Sequence, residues 1–216
     1  MTTLLFLRHG QSMANLDELF AGQYDTPLSQ NGREQAERAG KYIAGNYKVD
    51  AIVSSDLIRA YETALPAARR FGLPVRKMPG LREIHVGEWE NLPFDVIRRD
   101  DPAAYTVLVT DDRLDADVRD VGCPGGETVG QLSDRVCAAF FELVREYEGK
   151  TLLVVTHATP IRVLECRIRY AGDLSRLTEI PWVKNASLTV VTEENGAFRI
   201  EAKSVDSYLS DPEYEA

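Results

Sequence analysis

Thr3-Leu4-Leu5-Phe6-Leu7-Arg8-His9-Gly10-Gln11-Ser12-Met13-Ala14-Asn15 is the stretch on which the reading of this chain turns. Its short run of large apolar side chains reads as a strand buried on both faces. The run breaks off in a cation, an imidazole and a glycine, which lets the backbone turn sharply or approach a ligand closely. Open α/β sheets bind their ligands just beyond the carboxyl ends of strands, where Arg8, His9 and Gly10 would stand. A first core strand followed by an inert polar loop would look the same, so the rest of the sequence has to decide.

A second stretch repeats the pattern. Lys150-Thr151-Leu152-Leu153-Val154-Val155-Thr156 is the clearest strand in the chain, and it ends in His157-Ala158-Thr159-Pro160 before a helix predicted over 161–170. Between the two, Ser29 is placed to cap a helix over 30–46, and Ala36, Ala39, Gly40 and Ile43 give that helix its apolar stripe. A strand over 51–54 leads through Ser55 or Asp56, either a candidate cap, into a helix over 57–71. Arg59 falls in the first turn of that helix, where a cation opposes the helix dipole. It is either solvated or turned back toward a bound anion.

Strand 75–78 precedes a carboxylate-rich loop, Leu81-Arg82-Glu83-Ile84-His85-Val86-Gly87-Glu88-Trp89-Glu90, in which Glu88 and Glu90 read as surface charge. From about 91 to 127 the pattern changes: a short helix over 94–100, a mixed stretch over 102–109 and acidic residues over 111–120 resemble an insertion or lid over the sheet edge. A long helix over 129–147 follows. The chain closes with an antiparallel pair, 185–192 and 197–205, around Glu194-Asn195-Gly196, and an acidic tail over about 207–216 expected to be mobile. The β-α alternation gives one α/β domain over 1–216, with a mostly parallel central sheet between helical layers and a mainly helical insertion over the active-site edge.

Composition narrows the function. The 216 residues carry a net charge of -9, which argues against a nucleic-acid or anionic-membrane partner. No run reaches membrane-spanning length and no secretory leader is recognisable, so the expected location is cytoplasmic. The three cysteines, Cys123, Cys137 and Cys166, form neither a zinc pattern nor a disulfide framework and read as reduced thiols. No exposed apolar stripe chooses between monomer and homodimer.

Arg8, His9, Arg59 and His157 would meet at one sheet edge, with Glu83 in a loop nearby. Two histidines and two arginines repel one another unless an anion sits among them, and the planar guanidinium fork suits a phosphate. Neither GxxxxGK[ST] nor GxGxxG is present, and three scattered histidines make poor metal spacing. What remains is histidine acting as a nucleophile toward phosphorus.

The residues Leu7-Arg8-His9-Gly10-Gln11-Ser12 with Asn15 resemble the signature of the histidine phosphatase superfamily, the phosphoglycerate-mutase-like fold. The likeness continues, in the family's order, through Asp25-Thr26-Pro27-Leu28-Ser29 with Gly32 and Ser54-Ser55-Asp56-Leu57-Ile58-Arg59-Ala60 with Glu62-Thr63-Ala64. It then runs through Leu81-Arg82-Glu83 with Gly87-Glu88-Trp89-Glu90, Pro124-Gly125-Gly126-Glu127-Thr128, Val154-Val155-Thr156-His157 with Ile161-Arg162, and Asn185-Ala186-Ser187. The resemblance implies that His9 becomes a phosphohistidine and that Arg8, Arg59 and His157 bind phosphate oxygens. It also implies that Glu83 donates the proton to the leaving alcohol, and that no metal or organic cofactor is needed. Asn15, Gly22 and the Ala158 backbone N–H are further expected phosphate contacts.

The chain departs from the pattern at Ala158-Thr159-Pro160, where many members carry a glycine pair, and at Ala21, where many carry glutamine. His85 lies outside the signature and reads either as a substrate-side residue or as a structural histidine. The Gly87-Glu88-Trp89-Glu90-Asn91-Leu92 segment resembles the phosphatase branch. The expected activity is therefore hydrolysis of a small phosphorylated metabolite. The alternatives are a phosphoglycerate-mutase-type phosphotransferase and a catalytically silent module that binds a phosphorylated ligand or a protein partner.

Overall fold

The computed structural model of the chain describes residues 1–110 and 112–214. Asp111, Glu215 and Ala216 lie outside the described residues, and with them parts of the acidic 111–120 stretch and of the 207–216 tail. In chain order the elements are β1 (Thr2–Arg8), α1 (Met13–Leu16), β2 (Leu19–Phe20), α2 (Gln30–Asn46), β3 (Ala51–Ser54), α3 (Ile58–Phe71) and β4 (Val75–Lys77). There follow β5 (Leu92–Pro93), α4 (Phe94–Asp100), α5 (Pro102–Val109), α6 (Val129–Glu146), β6 (Thr151–Thr156), α7 (Ala158–Tyr170), β7 (Leu188–Glu194) and β8 (Ala197–Val205).

One sheet has the order β4-β3-β6-β1-β7-β8, and β2 pairs separately with β5. The first four of these strands run parallel, while β7 and β8 complete the sheet antiparallel. This is the mostly parallel, helix-flanked sheet that the sequence predicts. β1 is covered on both faces, as its unbroken apolar run requires. Leu4 and Phe6 join the core under α6 and α7, and Leu5 and Leu7 the core under α2 and α3. Each such side chain contributes roughly 1.5–3 kcal/mol through burial. Among the described residues no helix is long and apolar enough to cross a membrane.

Four local expectations need correction. The helix expected from 161 begins at Ala158, because His157 in extended conformation serves as its N-cap and Pro160 sits within the first turn, where a missing N–H costs nothing. The mixed 102–109 stretch is a helix, started by Pro102 and capped by Asp101 Oδ1, which accepts from the Ala104 N–H at 2.9 Å. Neither Ser55 nor Asp56 supplies the N-cap of α3. Leu57 holds that position without a side-chain bond, and Asp25 Oδ1, from the loop after β2, accepts from the Ile58 N–H at 2.7 Å.

The segment from 207 is not free through its described length. Tyr208 is buried, stacks on Tyr42 with ring centroids 4.5 Å apart, and donates its hydroxyl to the Ala186 carbonyl. An aromatic side chain set among acidic residues gives this tail the apolar area that its charges lack.

Candidate active site

The site is assembled by strand register. Arg8, the last residue of β1, pairs with Thr156, the last residue of β6, so His9 and His157 each stand one step beyond a strand end and side by side. Their ring centroids are 5.0 Å apart in an edge-on arrangement. The ladder continues into the site, with the His9 N–H donating to the Thr156 carbonyl at 3.0 Å. β3 ends at Ser54 opposite Val155, which sets Ser55 next along, its hydroxyl 2.8 Å from His157 Nε2.

Gly10 leaves the strand end against α2, where a Cβ would stand 2.4 Å from the Gly32 carbonyl oxygen, so no other residue fits this turn. His9 Nδ1 lies 2.7 Å from the Gly10 carbonyl oxygen. A carbonyl can only accept, so Nδ1 carries the proton and the lone pair of the neutral ring is on Nε2. Burial, with Arg59 and Arg8 adding to it, holds the ring well below the usual histidine range and keeps it neutral. His157 is fully buried and is lowered in the same way, by burial first and by Arg59 next.

Arg59 is 1% exposed, and its guanidinium donates to the carbonyls of Gly22 at 2.7 Å and Tyr24 at 3.0 Å. It is therefore turned inward, not solvated. Gly22 presents its carbonyl from φ +52, and a Cβ there would lie 2.4 Å from Val86 Cγ2. Arg8 donates to the Val183 carbonyl, and its buried Nε, like His157 Nδ1, has no partner among the described residues. Burial draws both guanidiniums down to about 10, against an upward pull from Glu83, so both stay charged near neutrality.

Glu83 is half-buried, its carboxylate accepting from the Ile84 N–H at 2.9 Å and, across the site, from the Thr159 N–H at 3.3 Å. Asn15 closes a capping box with Ser12 and accepts from Asn185 Nδ2 at 3.1 Å. The same Asn185 nitrogen donates to the His9 carbonyl at 3.1 Å.

These groups surround a cavity of about 80 Å³ lined by Arg8, His9, Asn15, Gly22, Arg59, Glu83 and Ala158, together with Ser12, Leu19, Phe20, Ala21, Leu108, Thr159 and Trp182. Pockets that enclose drug-sized ligands run to roughly 300–1,000 Å³, so this one suits a small headgroup. His157, fully buried, is absent from the lining. His85 is also absent from it; its Nε2 lies 3.6 Å from Glu90 Oε1. Glu90, read as surface charge, instead accepts from the Gln23 N–H at 3.0 Å.

Sequence reasoning missed Ser55 and Asn185 as site-ordering residues and Leu108 and Trp182 as walls. The two walls sit in the insertion and in an irregular loop, where no periodicity marks an inward face. Among the described residues no group of three or more His, Cys, Asp and Glu side chains is placed to hold a metal ion.

Comparison with known proteins identifies relatives of this chain. A bifunctional protein of Mycobacterium tuberculosis is 36% identical over 163 residues, which are 76% of this chain and 43% of that protein, so the chain spans less than half the length of that relative. The metal-independent phosphoserine phosphatase of Arabidopsis thaliana is 30% identical over 212 residues, 97% of this chain and 84% of that one. Among solved structures, Bacillus stearothermophilus YhfR superposes with a TM-score of 0.86 at 29% identity, covering 97% of this chain and all of that one, 100%. The sequence also matches a family description from residue 4 to 206, nearly the whole span from the strand bearing His9 to the closing pair, and so the chain belongs to the histidine phosphatase superfamily, branch 1.

Proposed function

We propose that this chain is a phosphatase that hydrolyses phosphate monoesters of small metabolites through a phosphohistidine on His9. One observation carries the reading: the Nδ1–H bond to Gly10 leaves the Nε2 lone pair of a neutral, buried ring available beside two charged arginines. The Nε2 pair attacks phosphorus, the bond from phosphorus to the ester oxygen breaks, and Glu83 gives its proton to that oxygen as the alcohol leaves. Water then attacks the phosphohistidine while Glu83 takes a proton from it. The P–N bond breaks, returning the pair to Nε2 and freeing phosphate. Arg8 and Arg59 stabilise the equatorial oxygens throughout.

Arg8 lines the cavity, and its Nε, which has no partner among the described residues, supports an anionic ligand, since an oxyanion would satisfy it. Among the described lining residues no third arginine and no lysine is present, which favours a single phosphate per substrate and hydrolysis over transfer within a bisphosphate. The name of the Arabidopsis relative puts phosphoserine on the panel of substrates to assay.

Brief exposure to phosphorus-labelled substrate, quenched in base to preserve phosphohistidine, tests the reading. Wild-type protein should retain label and His9→Ala should retain none. Equal labelling of the two would overturn the nucleophile assignment.

A further inference from the structure

The segment 82–86, which carries Glu83, lies between two 3-10 turns, Pro79–Leu81 and Gly87–Trp89, and belongs to no strand or helix. A proton donor needs a fixed backbone, and here the fixing comes from α6. The Arg135 guanidinium donates to the carbonyls of Gly80 at 3.0 Å, Arg82 at 3.1 Å and Glu83 at 3.1 Å. Its Nε and Nη2 grip the two carboxylate oxygens of Glu127 at 2.8 and 2.7 Å. A guanidinium has five N–H donors in a rigid planar fork, and these contacts engage all three nitrogens that bear them.

Glu127 completes the clamp by accepting from the His85 N–H at 2.9 Å. The backbone around Glu83 is thus held on both sides by one ion pair whose side chains are mostly buried, at 25% and 20% exposure. Burial alone would raise the Glu127 carboxyl; the bonds from Arg135 and His85 outweigh it and hold the group below its ordinary value, so Glu127 stays ionised near neutrality. Neither residue lines the cavity.

We infer that Arg135, locked to Glu127, is a positioning residue for proton donation: it fixes the carbonyls of 80, 82 and 83 so that the Glu83 carboxyl meets the leaving oxygen. The inference rests on the reading of Glu83 as the proton donor. A displacement of about 1 Å in a catalytic group can cost a hundredfold in rate. That cost should fall only on substrates whose leaving group needs the proton.

Arg135→Lys keeps the charge and loses the fork. It should lower kcat/KM for an alkyl ester such as glycerol phosphate by at least about tenfold, and for p-nitrophenyl phosphate by less than about threefold. Introduced into Glu83→Gln, it should cost the alkyl ester less than about threefold more, because the donor it positions is already gone. Equal losses on both esters, or a full additional loss in the Glu83→Gln background, would overturn the inference.

Glu127→Gln preserves the shape of the clamp, breaks its ion pair and provides the same comparison should the lysine variant fail to fold. The parent Glu83→Gln separates the two ideas. If it loses equally on both esters, the proton-donor reading falls and the positioning role with it. If it discriminates between them while Arg135→Lys does not, only the positioning role falls.

Discussion

On the proposed reading the neutral state of the His9 ring decides the chemistry, and Arg59 helps to maintain it. Burial is the larger cause of the lowered ring pKa and Arg59 the next. Removing the guanidinium in Arg59→Met should cost at least about a hundredfold in kcat/KM through lost transition-state charge stabilisation. It should also move the acid limb of the pH profile upward, toward the ordinary histidine value, because the cation that disfavours ring protonation is gone. A pH series on both proteins checks this, and an acid limb that stays in place would show that Arg59 does not govern the charge on His9. Arg8, His9, Arg59, Glu83 and His157 were legible in the sequence because each stands at a strand end, a helix start or a recognisable motif. Ser55 and Asn185 were not, since each acts through hydrogen bonding to residues more than a hundred positions away in sequence: Ser55 to His157, Asn185 to the His9 carbonyl and Asn15.

The helix α3 shows why an element can be legible while its cap is not. The sequence predicts a helix over 57–71, and Ser55-Asp56 stands where its cap is expected. Both side chains are engaged elsewhere: Ser55 with His157 at 2.8 Å, Asp56 with the Arg82 guanidinium at 2.7 and 2.6 Å. Asp25 takes over from a distance, and its loop also presents the Gly22 and Tyr24 carbonyls that orient Arg59. Asp25→Ala should therefore cost about 1 kcal/mol of stability, the ordinary loss for a cap, and reduce kcat/KM at the same time. Asp25→Asn, an equally good cap, should restore both. Urea unfolding and steady-state kinetics on the two variants are sufficient, and an alanine variant as stable and active as wild type would show that the cross-loop bond contributes nothing. Caps borrowed from another part of the chain depend on the tertiary fold, which is why periodicity could not supply this one.

Over the whole molecule a net charge of -9 surrounds a site built from cations and neutral imidazoles, and the acid response of the protein should follow from those imidazoles. His9 and His157 both have their pKa values pushed well below 6.5 by burial and by the nearby arginines. In the unfolded chain both titrate near the ordinary value. As pH falls below 6.5 the unfolded state takes up protons that the folded state refuses, and stability rises with pH wherever the unfolded state binds more protons. The stabilising contribution of neutral burial is thus fully present above 6.5 and is lost progressively as pH falls toward the folded-state values. The lowered carboxyls of Asp56 and Glu127 add their own loss only further down, in the ordinary carboxylate range. Urea unfolding at pH 7.5, 6.5 and 5.5 in an anion-poor buffer should show stability level across the first interval and declining across the second. Inorganic sulfate should flatten that decline, because an anion among the rings favours their charged forms and narrows the gap between folded and unfolded pKa values. A decline equally steep with and without sulfate would mean that the anion does not lie beside the histidines, and it would count against a phosphate site there as directly as a failed kinetic test.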